Sequence, residues 1–447
     1  MSQQGHTFYF IGIGGVGMSA LARLCTLQGH RVFGYDRVRS TVTANLEKEG
    51  ISIRYTEELE DLPKEVHHRQ TQIIYTAAVP PTHKQLSYFI AQGYTVKKRA
   101  LFMAELCAQK TTLAVAGTHG KTTTSAFLTH IFSYTNQSFT SIMGGFFQDH
   151  PSNLIRTGEE FMLVEADEYD RSFLHLHPSI GAITSMDSDH LDIYQTPEAF
   201  EAAFVSFSSQ IQQQLIVAYG LPLEGLTYGV NVAADYRIYN VKLLAEGYEF
   251  DLSTPTEVFH QLRLNQLGAH NLSNVLCALA MADQAKLSMQ KAVASLPSFP
   301  GIHRRMNLFR WNNKCLVDDY AHHPTEIKSV LDTLNAFYPG ERKGVIFQPH
   351  LFSRTRDFYS GFLEVLAQFD EVVLLDIYPA RELPIEGVSS ERMLMDLKHE
   401  CKKWIQKEQI ADAIQASTAS VFALLGAGDI GEEIQVLKSQ IRSNENV

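Results

Sequence analysis

Ala116-Gly117-Thr118-His119-Gly120-Lys121-Thr122-Thr123-Thr124-Ser125 is the stretch that decides how this 447-residue chain is read. Before it runs Leu113-Ala114-Val115-Ala116, a short apolar run that reads as a buried parallel strand. After it, Ala126 to Tyr134 has helical spacing. Strand, glycine turn, Lys-Thr and helix make a phosphate cradle, because backbone N–H groups and a helix N-terminus converge on the anion. Lys121 supplies a mobile positive charge and the Thr122 hydroxyl a magnesium ligand. The usual pattern has another glycine five residues before Gly120. Here Val115 stands there, and Gly117 takes over the turn.

Downstream, Phe161-Met162-Leu163-Val164 reads as a strand ending in Glu165-Ala166-Asp167-Glu168-Tyr169-Asp170. Carboxylates at such a strand end are placed to hold magnesium, and Glu165, first off the strand, is the best candidate. Ile180 to Thr184 is a further strand, and His190 beyond it completes a metal shell or touches phosphate if it is not a plain loop residue. The pieces around Leu215–Tyr219 and 236–252 suggest an antiparallel appendage. Asn271 and Asn274 open a long apolar helix, where base recognition and helix capping both fit.

Upstream, Phe8 to Ile11 runs into Gly12-Ile13-Gly14-Gly15-Val16-Gly17, then a helix from Met18, then a strand ending at Asp36. This satisfies the dinucleotide fingerprint with its acidic residue about 20 positions on. The turn, however, recognises any pyrophosphate on a helix N-terminus, and UDP-linked sugars offer the same group. Lys97-Lys98-Arg99 follows another short strand, where a solvated patch and a ligand phosphate are both open readings.

The whole chain sets the bounds. Its length suggests about three domains. A content of 45% apolar and 19% charged residues is that of a globular protein. The net charge of −11 argues against a nucleic-acid partner, which needs clustered Lys and Arg. No apolar run approaches the roughly 18 residues of a membrane span. Five scattered cysteines without a CxxC pair suit reduced thiols in the cytoplasm.

Pro297, Pro300 and Gly301 punctuate the chain before His303-Arg304-Arg305, so the expected domains are 1–108, 109–298 and 299–447. In the last, apolar strands end in Asp318-Asp319, in Gln348-Pro349-His350, in Asp376 and in Gly426-Ala427-Gly428, alternating with helices. That alternation gives a third open parallel sheet, with ligands expected at the strands' carboxyl ends. Asp318, Asp319, His322 and His323 suit polar ligand contacts better than a metal site, because Pro324 makes His323 a helix cap.

With these motifs in this order, the chain resembles the muramyl ligases of peptidoglycan precursor synthesis. The resemblance rests on Gly-Ile-Gly-Gly-Val-Gly-Met-Ser (12–19), Gly-Thr-His-Gly-Lys-Thr-Thr-Thr (117–124), Glu-Ala-Asp-Glu (165–168) and Asp-His-Leu-Asp (189–192). It continues through Gly-Ala-His-Asn (268–271), Arg304-Arg305, residues 318–326, and Gln-Pro-His (348–350) with Arg354. It implies an α/β protein of three domains: a Rossmann-like one for the UDP-sugar, a P-loop ATPase-like one for ATP, and a Rossmann-like one for the amino acid.

It further implies that a carboxylate attacks the ATP γ-phosphate and that an amine then displaces phosphate, with Mg2+ as cofactor. Gly14, Gly15, Gly17, Met18, Ser19, Asp36 and Arg99 would serve the sugar nucleotide. Gly117, Thr118, Gly120, Lys121, Thr122 and Thr123 would hold ATP, joined by Asn271, Arg305 and Asp319. Thr122, Glu165 and His190 would hold the metal; Lys121, His119, His190 and Arg354 would act in the reaction; His350 and Arg354 would orient the amino acid.

Several relatives use a carbamylated lysine, but no lysine lies between Thr184 and Asn240. That leaves the branch joining L-alanine to UDP-N-acetylmuramate, with the branch recycling a murein tripeptide as its rival. A nicotinamide-dependent oxidoreductase is the alternative from another class. The implied setting is cytoplasmic, as a monomer or weak homodimer, with no nucleic acid and no membrane.

Overall fold

Three separate sheets organise the chain, in a computed structural model that describes residues 5–187, 191–380 and 382–444. The first sheet holds β1 (Thr7–Ile11), β2 (Arg31–Tyr35), β3 (Ser52–Arg54), β4 (Gln72–Tyr75) and β5 (Thr95–Lys98) in the order β3-β2-β1-β4-β5. All its pairings are parallel. β1, Thr-Phe-Tyr-Phe-Ile, is buried along its whole length and on both faces, as a central parallel strand must be. The order reverses beside β1, so the glycine loop that follows β1 lies at the switch point where such sheets bind ligands.

The second sheet has ten strands: β6 (Thr111–Ala116), β7 (Phe139–Ile142), β8 (Leu154–Arg156), β9 (Phe161–Glu165), β10 (Ile180–Ile183), β11 (Gln214–Ala218), β12 (Leu226–Val230), β13 (Tyr236–Leu244), β14 (Gly247–Ser253) and β15 (Val258–Leu264). Their order is β15-β14-β13-β12-β11-β10-β6-β9-β7-β8. β6 pairs in parallel with β9 on one side and β10 on the other. Three adjacent carboxyl ends therefore present the phosphate loop, the acidic segment and Thr184-Ser185 together.

The expected antiparallel appendage is corrected for its first strands: β11, β12 and β13 continue the main sheet in parallel, whereas β13 and β14 are neighbours joined by a two-residue turn, as an antiparallel hairpin is. Short loops at 219–225 and 231–235 join the three parallel strands, although a parallel connection usually runs through a helix.

The third sheet runs β16-β17-β21-β18-β19-β20, from Asn307–Trp311, Lys314–Asp319, Val421–Leu425, Lys343–Phe347, Glu371–Leu374 and Lys402–Trp404 in that order. β16 is antiparallel to β17 and the other pairings are parallel.

By packing, the chain forms two units. One runs to Val241 and adds Phe250–Arg263 and Leu272–Pro300. The other takes Lys242–Glu249, Leu264–Asn271 and the chain from Gly301 on. The first two sheets' binding loops thus share one unit. No helix among the described residues is long and apolar enough to cross a membrane.

Candidate active site

The phosphate loop is built on two glycines that no other residue could replace. Gly117 has φ +135°, and a Cβ there would lie 2.1 Å from Thr184 Oγ1. Gly120, at φ +84°, would press its Cβ to 2.5 Å from Asn274 Oδ1. The loop is clamped from the end of β10: His119 N–H donates to Ser185 Oγ at 2.8 Å, and Thr118 Oγ1 donates to Asp187 O at 2.7 Å. Thr184 Oγ1 donates to the carbonyl of His119, and Thr124 Oγ1 donates to Asn274 at 3.4 Å. The helix Lys121–Tyr134 begins behind Gly120 with no side-chain cap and no acid in its first turn. Its first N–H groups and its positive dipole end are thus left for an anion.

Lys121 folds back on this loop. Its Nζ donates to Gly117 O at 2.6 Å and to both oxygens of Glu168 at 2.7 and 2.8 Å. Glu168 is almost fully buried, at 2% exposure of its side chain. Burial pushes its carboxyl upward, and the Lys121 charge opposes that. Beside it, Glu165 Oε2 accepts from Thr122 Oγ1 at 3.1 Å, and its other oxygen accepts the N–H of Gly144. A Cβ on Gly144 would come to 2.4 Å from that carboxylate, so this glycine is what seats Glu165. Desolvation raises the Glu165 carboxyl too, tempered by Gly144, Lys121 and Thr122.

Among the described residues no three His, Cys, Asp or Glu side chains gather as a metal cage. One carboxylate and one hydroxyl beside a phosphate cradle nevertheless suit Mg2+, which takes one or two protein oxygens and completes its shell with phosphate and water. His190 lies outside the described residues. His119 Nε2 stands 3.8 Å from Asp187 Oδ2.

In the first module, Gly12 and Ile13 N–H groups donate to Tyr35 O, and Gly14 N–H donates to Asp36 Oδ2 at 2.7 Å. Asp36 Oδ1 accepts from Val38 N–H at 3.2 Å. Both its oxygens therefore accept backbone N–H groups around the turn. Gly15 caps the helix Val16–Leu27, again with no side-chain cap and no acid in the first turn.

Met18 and Ser19 follow in the first turns of that helix. At 1% and 0% exposure their side chains pack inside, beneath the loop. The basic cluster is more than a solvated patch: Lys98 pairs with Asp170 at 3.0 Å and Arg99 with Asp167 at 3.2 Å.

The C-terminal candidates form a cluster of their own. Of the two arginines, Arg304 is buried, donating to Asp318 at 3.3 Å and to the carbonyls of Gly426 and Gly428. Arg305 lies over the Tyr320 ring, 5.3 Å from its centre. Asp319 accepts the N–H groups of Met306 and Ala321 at 2.7 and 2.8 Å. Asn271 Nδ2 bonds Leu267 O at 2.6 Å, a local contact at the start of its helix. His350 Nδ1 lies 3.3 Å from Arg354 Nη1, and its ring stacks on Tyr378. Burial, with the neighbouring His322 ring and the Arg354 charge, pushes His350 down to about 4. A neutral ring accepting from Arg354 at Nδ1 leaves Nε2–H as a donor.

Asp319 gives a pH prediction. Burial raises its carboxyl to about 6. The folded state therefore holds the proton between about pH 4 and 6, and this contribution to stability is present below that window and lost above it. Both tryptophans, Trp311 and Trp404, lie in the third sheet. Urea unfolding followed by their fluorescence should show the unaltered chain gaining on Asp319→Asn as pH falls from 7 to 4.

The loop and Glu165 are visible in the sequence, whereas the residues that seat them are not. Thr184 and Ser185 carried one signal, as hydroxyls leaving a parallel strand. Gly144 and the Asn274 contact with the loop carried none.

Two bare helix ends over parallel sheets, one with a lysine, a threonine and seated acids, define a nucleotide-binding, phosphoryl-handling α/β protein. Family models match three successive stretches: the Mur ligase family catalytic domain at 7–111, the Mur ligase middle domain at 115–282, and the Mur ligase glutamate ligase domain at 304–430. The chain belongs to the Mur ligase family. It is 45% identical over 442 residues, 98% of each chain, to the UDP-N-acetylmuramate–L-alanine ligase of Flavobacterium johnsoniae. The protein of the same name from Porphyromonas gingivalis is 38% identical over 450 residues, covering 97% of this chain and 99% of the relative. Among solved structures, the UDP-N-acetylmuramate-alanine ligase of Thermotoga maritima superposes with a TM-score of 0.83 at 25% identity, over 98% of this chain and 99% of that one. A murein peptide ligase from Psychrobacter arcticus shares the fold, with a TM-score of 0.71 at 22% identity over 97% and 98%.

Proposed function

We propose that this chain joins L-alanine to the lactyl carboxylate of UDP-N-acetylmuramate at the expense of ATP. The observation that carries the reading is the Lys121–Glu168 and Thr122–Glu165 arrangement on a bare helix end, in a chain 45% identical to proteins of that name. Residues 1–108 take the sugar nucleotide, 109–298 ATP, and 299–447 the amino acid. The protein is cytoplasmic and a monomer or weak homodimer.

A carboxylate oxygen attacks the γ-phosphorus and ADP leaves, giving an acyl phosphate. The alanine amine then attacks the acyl carbon, expels phosphate and loses a proton, leaving an amide. Two anions must meet in the first step, so the cradle's task is charge neutralisation. Lys121 exchanges Glu168 for γ-phosphate oxygens, and the N–H groups at Gly120 to Thr123 hold the β-phosphate. Thr122 and Glu165 would hold Mg2+, which when bound neutralises phosphate charge and orients the γ-group. In the third module, Arg354 and the neutral His350 are the donors for the amino acid's carboxylate.

Purified protein with UDP-N-acetylmuramate, ATP and Mg2+ should release phosphate only when L-alanine is added. Release with the tripeptide but not with alanine would assign the chain to the recycling branch. A change in nicotinamide absorbance without phosphate release would end the ligase reading.

A further inference from the structure

The acidic segment after β9 faces two ways. Glu165 and Glu168 turn to the phosphate loop, meeting Thr122 and Lys121. Asp167 and Asp170 turn to the first module, meeting Arg99 at 3.2 Å and Lys98 at 3.0 Å. Four carboxylates within six residues thus divide between two binding loops. The chain bends sharply here: Asp170 and Arg171 both hold left-handed φ, at 53° and 56°. Arg171 lies over the Tyr194 ring at 5.2 Å, while Tyr194 O–H donates to Glu168 O at 2.6 Å, and these contacts hold the bend.

Arg99 occupies a telling place. A Cβ on Gly17 would come to 2.6 Å from its Nη1, so the guanidinium lies across the first turn of the helix Val16–Leu27. That turn is the uncapped helix end behind the glycine loop. The missing side chain of Gly17 is therefore what admits Arg99 to a diphosphate position.

We propose that Asp167 is a positioning residue that holds Arg99 across this helix end and yields it to the diphosphate of the sugar nucleotide. The proposal rests on reading the 12–17 loop as the sugar-nucleotide site. The exchange is physically easy. Arg99 and Asp167 are 30% and 37% exposed, so their pair is worth little in water. A diphosphate brings more charge, offers two oxygens to the guanidinium fork, and gains from the helix dipole as well. Once released, Asp167 is a free charge between Glu165 and Glu168. Filling the first module then changes the field at the phosphate loop, and by linkage ATP changes the first module's affinity by the same factor.

Calorimetric titration of the full chain with UDP-N-acetylmuramate tests this. Asp167→Asn should tighten binding by about two- to fivefold, the range of a half-exposed pair. Arg99→Ala should weaken it, and adding Asp167→Asn to Arg99→Ala should then change nothing. Equal tightening with and without Arg99 would mean simple removal of negative charge and would overturn the exchange, as would no tightening at all. Titrations repeated with a non-hydrolysable ATP analogue and Mg2+ should show a coupling in the unaltered chain that shrinks in Asp167→Asn. An undiminished coupling would overturn the link to the phosphate loop. If the unaltered chain binds no sugar nucleotide, the first-module reading falls and the exchange with it; binding without the Asp167 effect sinks the exchange alone.

Discussion

Lys121→Ala should lower phosphate release by at least about a thousandfold while UDP-N-acetylmuramate still binds. No other described cation touches the loop carbonyls and the acids as Lys121 does, through Gly117 O and Glu168. Its charge is needed when an anionic carboxylate approaches an anionic γ-phosphate, so its loss falls on the chemical step. The variant should also unfold more easily. Glu168 is 2% exposed and would lose its cation, and breaking such a buried pair costs about 3–5 kcal/mol. The two effects separate cleanly. Lys121→Ala with Glu168→Gln removes the stranded charge, so it should recover most of the stability and none of the turnover. Thermal unfolding beside a phosphate-release assay reads both, and recovery of turnover in the double variant would show that Lys121 acts only as a structural counterion.

Glu165→Gln is the second large effect expected. The amide keeps the shape and can still accept from Thr122 or Gly144, so the loop should stay folded. It removes the anionic oxygen that a hard cation prefers. Turnover should fall by about a hundredfold, by analogy with losing one preorganised electrostatic group. The Mg2+ concentration for half-maximal rate should rise along with it. A fall in rate with an unchanged Mg2+ requirement would leave Glu165 seating Thr122 alone.

How far the sequence carried can be judged from single residues. The strand-loop-helix around Gly117–Thr123 was legible because its periodicity, glycines and Lys-Thr all agree. His323 was legible as a helix cap for the same local reason, and it accepts a backbone N–H at its helix start. What stayed hidden depends on neighbours far along the chain. Nothing near Gly120 announces that Asn274 fills the space beside it. Nothing near Lys98-Arg99 announces Asp167 and Asp170, about 70 residues away in sequence. Met18 and Ser19 read as part of a binding motif because they adjoin one, yet the helix turns them inward. The parallel β11–β13 register was masked because its connections lack helices. Motifs and caps are local; the packing that seats them is not.

On the proposed route the sugar's carboxylate becomes an acyl phosphate before the amide forms. UDP-N-acetylmuramate labelled with 18O in its lactyl carboxylate, turned over with ATP, Mg2+ and L-alanine, tests it most directly. In the proposed route the attacking oxygen leaves on phosphate, so mass spectrometry should find one 18O in each released phosphate and one in the amide product. Unlabelled phosphate, with both labels retained or lost elsewhere, would contradict it.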